Sequence, residues 1–161
     1  MQTAQEMGIL NQGDLVVQTA GTLTGISGST DLIKVGLVRK IVSRGISIGE
    51  IGVTGKARII KNNLDMSLIC PGEILFVPEE LIGNIPISKN IAGIVTNQNV
   101  DDVYALFNKN NKKISTICNL ENINDHQIIN GDLITLQLNE GVIYMGQIED
   151  DEEAIDKYKY V

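Results

Sequence analysis

The sequence predicts a β-rich α/β protein. Short runs rich in Ile, Val and Leu, four to eight residues long, recur along the chain between Gly, Pro, Asn and Asp. Three of these runs begin just after a glycine followed by an acid: Gly13-Asp14, Gly72-Glu73 and Gly131-Asp132. Only one stretch shows the clear spacing of an amphipathic helix. The 161 residues suffice for one domain of ordinary size with an appendage.

Read in order, residues 2–10 suggest a short helical end with Ala4, Met7 and Leu10 apolar. Strands follow at about 14–20 and 31–38. Together these 38 residues are too few to bury a core alone. The chain then divides near Arg39. Residues 39–48 contain Ile41-Val42-Ser43-Arg44-Gly45-Ile46-Ser47-Ile48 and read as a connector, polar and punctuated by glycine. From about 52 to 147 strands are expected at 56–61, 73–77, 91–96, 113–118, 132–138 and 142–145. In the Gly-acid pairs the glycine supplies the turn and the acid starts the next strand outside the core. This reads as shared turn chemistry, not an internal repeat.

The clear helix starts at Asn99, an N-cap. Asp101 and Asp102 lie in the first turn, where the helix dipole favours acids, and Val100, Val103, Tyr104 and Phe107 form the expected apolar face. A shorter helix is expected at 121–129. It contains the single histidine, His126, which has no partner at metal-ligand or catalytic spacing and reads as a surface residue.

Charge and composition exclude several classes. The formal net charge is −7, and residues 149–161, with six acids and two lysines, account for −4 of it. That balance argues against nucleic acid, and the acidic run reads as a solvated tail. No apolar run approaches the ~20 residues of a membrane helix. The first residues, Met1-Gln2-Thr3-Ala4-Gln5-Glu6, lack a basic n-region and an apolar h-region, so a cytoplasmic protein is expected. Cys70 and Cys118 fit no CxxC spacing and are expected as reduced, buried thiols, with no metal site.

The segment Gly13-Asp14-Leu15-Val16-Val17-Gln18-Thr19-Ala20-Gly21 runs on through Gly25-Ile26-Ser27-Gly28-Ser29-Thr30-Asp31-Leu32-Ile33-Lys34-Val35. It reads as strand, glycine- and hydroxyl-rich loop, and strand. It resembles the last two strands of pyruvate kinase, where a "GDLVV-TAG … G-SG-TN-IKV" pattern closes the C-terminal domain after a catalytic barrel. Further on, Ile48-Gly49-Glu50-Ile51-Gly52-Val53-Thr54-Gly55-Lys56-Ala57-Arg58-Ile59-Ile60-Lys61 resembles the opening of the extra C-terminal domain of some bacterial pyruvate kinases. That module is similar to the mobile phosphohistidine domain of phosphoenolpyruvate-utilising enzymes. Pro71-Gly72-Glu73-Ile74-Leu75-Phe76-Val77-Pro78, Ala92-Gly93-Ile94-Val95-Thr96 and the closing Gly131-Asp132-Leu133-Ile134-Thr135 with Gly141-Val142-Ile143-Tyr144-Met145-Gly146-Gln147 continue the likeness. The two resemblances cover residues 1–148. They imply the end of a pyruvate kinase C-terminal domain at 1–38 and a swivelling β/β/α domain at 49–148, beyond which lies the acidic tail at 149–161.

The departure from the family pattern matters as much. In the phosphotransferase relatives a "GG-TSHAA" segment follows the "AIVT" strand, and its histidine carries the phosphoryl group. Here Thr96 is followed by Asn97-Gln98-Asn99-Val100-Asp101-Asp102-Val103-Tyr104, with Tyr104 at the histidine position. A phenol with an ordinary pKa of about 10 is a poor reversible phosphoryl acceptor. Two adjacent carboxylates also repel phosphate. The swivelling domain is therefore expected to be chemically silent, which sets aside a phosphohistidine transferase.

Binding chemistry concentrates in the loop 21–30. Its glycines let N–H groups converge, and its hydroxyls suit phosphate oxygens. The spacing is not that of a P-loop, and no lysine follows Gly28. By resemblance it matches the pyruvate kinase effector loop, which implies Thr24, Gly25, Ser27, Gly28, Ser29 and Thr30 as contacts for a sugar phosphate or nucleotide.

Two readings follow. In the first, the chain is the regulatory and structural C-terminal part of a pyruvate kinase. The intact enzyme would transfer phosphate from phosphoenolpyruvate to ADP with Mg²⁺ and K⁺, and this part holds no cofactor and does not catalyse. Self-association through residues 1–38 is expected. In the alternative, it is a free-standing, degenerate swivelling-domain protein that binds a partner or a small phosphorylated metabolite.

Overall fold

The computed structural model describes residues 4, 7–11, 14–20, 32–86, 90–110, 114–120 and 128–147. Among these, one compact unit runs through Lys40 and a second begins at Ile41.

In the first unit, β1 (Leu15–Ala20) and β2 (Leu32–Leu37) form an antiparallel ribbon in register from Leu15↔Leu37 to Ala20↔Leu32. The Val38 N–H extends the ladder by donating to Asp14 O at 2.8 Å. Leu15, Val17 and Ile33 stand exposed along this ribbon. Of the helical end expected over 2–10, Ala4 is helical, and its carbonyl accepts from the Ile9 and Leu10 amides.

Among the described residues, the second unit holds an eight-stranded mixed sheet with one α-helix. Its strands are β3 (Ile41–Arg44), β4 (Ile46–Ile48), β5 (Val53–Ile59), β6 (Glu73–Val77), β7 (Gly93–Thr96), β8 (Ser115–Cys118), β9 (Leu133–Gln137) and β10 (Val142–Met145). Helix α1 spans Val100–Asn110. The sheet order is β3-β10-β9-β5-β6-β7-β8-β4, with β5, β6, β7 and β8 parallel and the flanking pairs antiparallel. The two end strands are consecutive in the chain and separated only by Gly45. The sheet's ends therefore meet. β3 pairs with β10 and β4 with β8, and the Gly45 N–H donates to Gly141 O at 2.9 Å. One continuous stretch of chain thus serves both ends of the sheet, so neither end strand stands apart from the other. The stretch expected as a polar connector over 39–48 is thus a structural strand from Ile41 onward.

Alternation along the central strands builds two cores. Ile74 and Phe76 of β6 join Val95, Ile117, Ile134, Leu136 and Ile143 on one face. Leu75 and Val77 join Met66, Ile69, Ile82, Ile85, Val103 and Phe107 on the other, where α1 lies. β6 is buried at every position because the sheet is covered on both sides there. Each such aliphatic side chain contributes about 1.5–3 kcal/mol by leaving water.

The Gly-acid turns are built alike. The Asp14, Glu73 and Asp132 carboxylates each accept the N–H three residues back, from Asn11, Cys70 and Ile129 at 2.7, 2.8 and 3.0 Å. Each acid's own N–H returns to the carbonyl of that same residue. Gly72 and Gly131 sit at φ +79° and +95°, which a side chain resists. Glu73 departs from the expectation that these acids stand outside the core: it is 7% exposed.

Helix α1 forms where the spacing places it. Val103 and Phe107 are buried, and Val100 and Leu106 are half-buried against the same core. Tyr104, expected on that face, is 48% exposed. Cys118 is buried, as expected, but Cys70 is exposed. Of the helix expected at 121–129, residues 121–127 lie outside the described residues, and His126 with them.

Candidate functional site

In α/β proteins, open or closed, ligands meet the carboxyl ends of parallel strands. Here β7 leaves the sheet at Thr96, and the turn Asn97-Gln98-Asn99 leads into α1. Polar bonds knit this turn to its neighbours. Asn97 Oδ1 accepts the Glu79 N–H at 2.9 Å, tying the exit of β7 to that of β6. The Asn119 N–H donates to Gln98 O at 2.9 Å, and the Leu120 N–H to Thr96 O at 3.3 Å, which secures the exit of β8. Asn119 itself takes φ +60°, a left-handed conformation that asparagine tolerates better than most residues.

The start of α1 is closed by its own side chains. Asn99 Oδ1 accepts the Asp102 N–H at 3.0 Å, the cap anticipated from sequence. Asp102 Oδ2 in return accepts from Asn99 Nδ2 at 2.5 Å and Gln98 Nε2 at 2.7 Å. The positive end of the helix is thus answered by an internal carboxylate. An incoming phosphate would meet Asp102 with Asp101 beside it. Tyr104 stands on the solvent side of the next turn.

One further charged pair lies beneath the parallel strands. Arg58 on β5 forks onto Glu73 on β6, with Nε at 3.1 Å from both carboxylate oxygens and Nη2 at 2.6 Å from Oε1. Burial pushes the Glu73 carboxyl up. The Arg58 fork, the Cys70 N–H and the arginine's charge outweigh this and hold it below the usual carboxylate range. The hydrogen bond to Glu73 raises Arg58 in turn. Neighbouring strand positions, Arg58↔Leu75 and Lys56↔Glu73, set this pair up. Sequence reading missed it, because a tertiary strand pairing brings the two residues together. Burial also pushes the Cys118 thiol up, and its Sγ donates to Ile46 O at 3.2 Å across the β4–β8 seam, an inert placement.

The loop contacts Thr24, Gly25, Ser27, Gly28, Ser29 and Thr30 lie outside the described residues. Among the described residues no group of His, Cys, Asp and Glu is placed to hold a metal ion, and no helix is long and apolar enough to cross a membrane.

Comparison with known proteins decides the family. Over 145 residues the chain is 36% identical to pyruvate kinase 2 of Synechocystis sp., a match that takes in 90% of this chain and 24% of that protein. The chain belongs to the pyruvate kinase family, to its C-terminal portion. Pyruvate kinase of Staphylococcus saprophyticus is 30% identical over 145 residues, and that of Lactobacillus delbrueckii subsp. bulgaricus 25% over 147. The chain thus spans about a quarter of the length of the pyruvate kinases it matches. No family model matches it. Among solved structures, the microcin C7 self immunity protein MccF in its inactive mutant apo state covers 91% of this chain and 55% of its own, at TM-score 0.39 and 11% identity, below what establishes a shared fold.

Proposed function

We propose that this pyruvate kinase-like portion is non-catalytic and serves regulation and assembly. The observation that carries this is the turn after β7. Where a phosphohistidine domain needs its nucleophile, Tyr104 stands exposed, and Asp102 and Asn99 already fill the helix start. The larger unit, in this reading, is a swivelling β/β/α domain that has lost its phosphoryl chemistry. A closed mixed sheet with one helix at its parallel centre supports it. The parent activity, phosphoryl transfer from phosphoenolpyruvate to ADP with Mg²⁺ and K⁺, belongs to a barrel outside the matched portion. The loop 21–30 is proposed as half of an effector site for a sugar phosphate or nucleotide, and residues 1–38 as a self-association surface.

The test is a coupled assay on this chain with phosphoenolpyruvate, ADP, Mg²⁺ and K⁺, followed by titration with fructose bisphosphate, ribose 5-phosphate or AMP under NMR. No pyruvate is expected, and half a site should bind only at about millimolar strength, about 4 kcal/mol. Turnover above the buffer background refutes the non-catalytic reading. Loop signals that stay unmoved by every effector refute the effector reading.

A further inference from the structure

We infer that Asn130 is a latched deamidation site, held unreactive by β5. Asn130-Gly131 is the chain's one Asn-Gly pair. Glycine puts no Cβ beside its own amide nitrogen, so that nitrogen reaches the preceding asparagine side chain more easily than in any other dipeptide. The reaction balances simply. Gly131 N bonds to Asn130 Cγ, the Cγ–Nδ2 bond breaks and ammonia leaves with the amide proton. Water then opens the resulting five-membered imide at either carbonyl, leaving aspartate or isoaspartate at position 130.

The fold exposes the site to water but restrains both reacting groups. Asn130 and Gly131 are exposed in the turn between Ile129 and Asp132, which closes through the Asp132 N–H to Ile129 O at 3.2 Å. Gly131 has φ +95° and donates its N–H to Ala57 O at 2.8 Å, while the Ala57 N–H donates to Asp132 O at 2.7 Å. Two turn residues thus face one strand residue, the arrangement of a glycine β-bulge. Asn130 Oδ1 accepts the Ile59 N–H at 2.7 Å, two residues along β5. The asparagine side chain extends the ladder beyond the last backbone pair, Lys56↔Leu133. The nucleophilic nitrogen is therefore tied to Ala57 and the electrophilic amide to Ile59. Ring closure must draw Cγ onto Gly131 N, and neither group is free to move until both bonds let go.

The latch has a measurable strength. Two hydrogen bonds of ordinary strength must open together, which places native-state modification about 30-fold below that of the open chain. The products also differ. Aspartate keeps an oxygen for the Ile59 N–H. Isoaspartate adds a carbon to the main chain at the bulge and cannot hold the Gly131 and Asp132 pairings to Ala57 together.

The experiment incubates the full chain in mildly alkaline buffer, native and in urea, beside a synthetic peptide of residues 126–136. Modification at position 130 and its isoaspartate share are read by peptide mass mapping with enzymatic isoaspartate labelling. Rapid reaction in peptide and urea, with a native rate lower by about 30-fold, is expected. A native rate within about 3-fold of the peptide, about a third of the expected logarithmic gap, overturns the latch. A peptide that does not react overturns the site. As an independent readout, N130D should keep the unfolding midpoint of the unmodified chain while isoaspartate-enriched protein loses stability. Equal losses in the two refute the role given to the Ile59 bond.

Discussion

Replacing Gly45 with alanine tests whether the sheet is closed through a single residue. A Cβ built there stands 2.5 Å from Cys118 O, 2.7 Å from Ile117 Cγ2 and 3.0 Å from Leu120 Cδ1. The first of these atoms is backbone and cannot rotate aside. The strand must move away from β8, and the Gly45 N–H bond to Gly141 O on the opposite side strains with it. Overpacking of this kind costs about 1–3 kcal/mol, and a lost hydrogen bond about 1 kcal/mol more, so G45A should lose about 3 kcal/mol. With a urea slope of about 2 kcal/mol per molar, the midpoint falls by about 1.5 M. Hydrogen exchange at Ile46 and Ile48 should rise together, because β4 loses its hold on β8. Gly83 supplies the control, since a Cβ there meets nothing within 4 Å and its φ is not in the left-handed range. G83A should be neutral or stabilise by up to about 1 kcal/mol. A G45A midpoint close to that of the parent, with unchanged exchange in β4, would show that the ends of the sheet do not meet at this glycine.

Asn99→Ala removes the helix cap and should cost about 1 kcal/mol by urea unfolding, with N99D recovering most of it; no loss would deny the cap. Tyr104→Phe should change stability by less than about 0.5 kcal/mol, because the side chain is half exposed; a core-sized loss would restore Tyr104 to the buried face. The folded-state pKa of Glu73 is depressed, so its contribution is present above the ordinary carboxylate range and is lost as pH falls through the folded value. Between about pH 6 and about pH 3 the parent should therefore lose more stability than E73Q, and equal losses would mean that the Arg58 fork does not favour the charged form.

The elements that local chemistry specifies were legible in the chain. Strands 73–77 and 142–145 coincide with β6 and β10, and the others fall within a few residues of their expected ends. The three Gly-acid turns and the Asn99 cap are local devices whose partners lie three residues away, so their spacing alone declares them. Helix α1 was equally plain, but its rolled position was not. At about 100° per residue, Tyr104 and Leu106 flank the Val103–Phe107 line on opposite sides. Only packing on the sheet decides that Leu106 turns inward and Tyr104 outward.

What the sequence by itself determined is the alphabet of short strands, glycine turns and one capped helix. Those properties depend on residues a few positions apart, where geometry is set by the backbone. The tertiary structure decided that the glycine-punctuated stretch 41–48 is the strand joining both ends of the sheet, that Glu73 is buried because Arg58 reaches it from the neighbouring strand, and that the side chain of Asn130 serves as a rung on β5. Each of these is a meeting of residues far apart in sequence. A short polar run with glycine carries the same local signal whether it crosses solvent or closes a sheet, and only its distant partners distinguish the two.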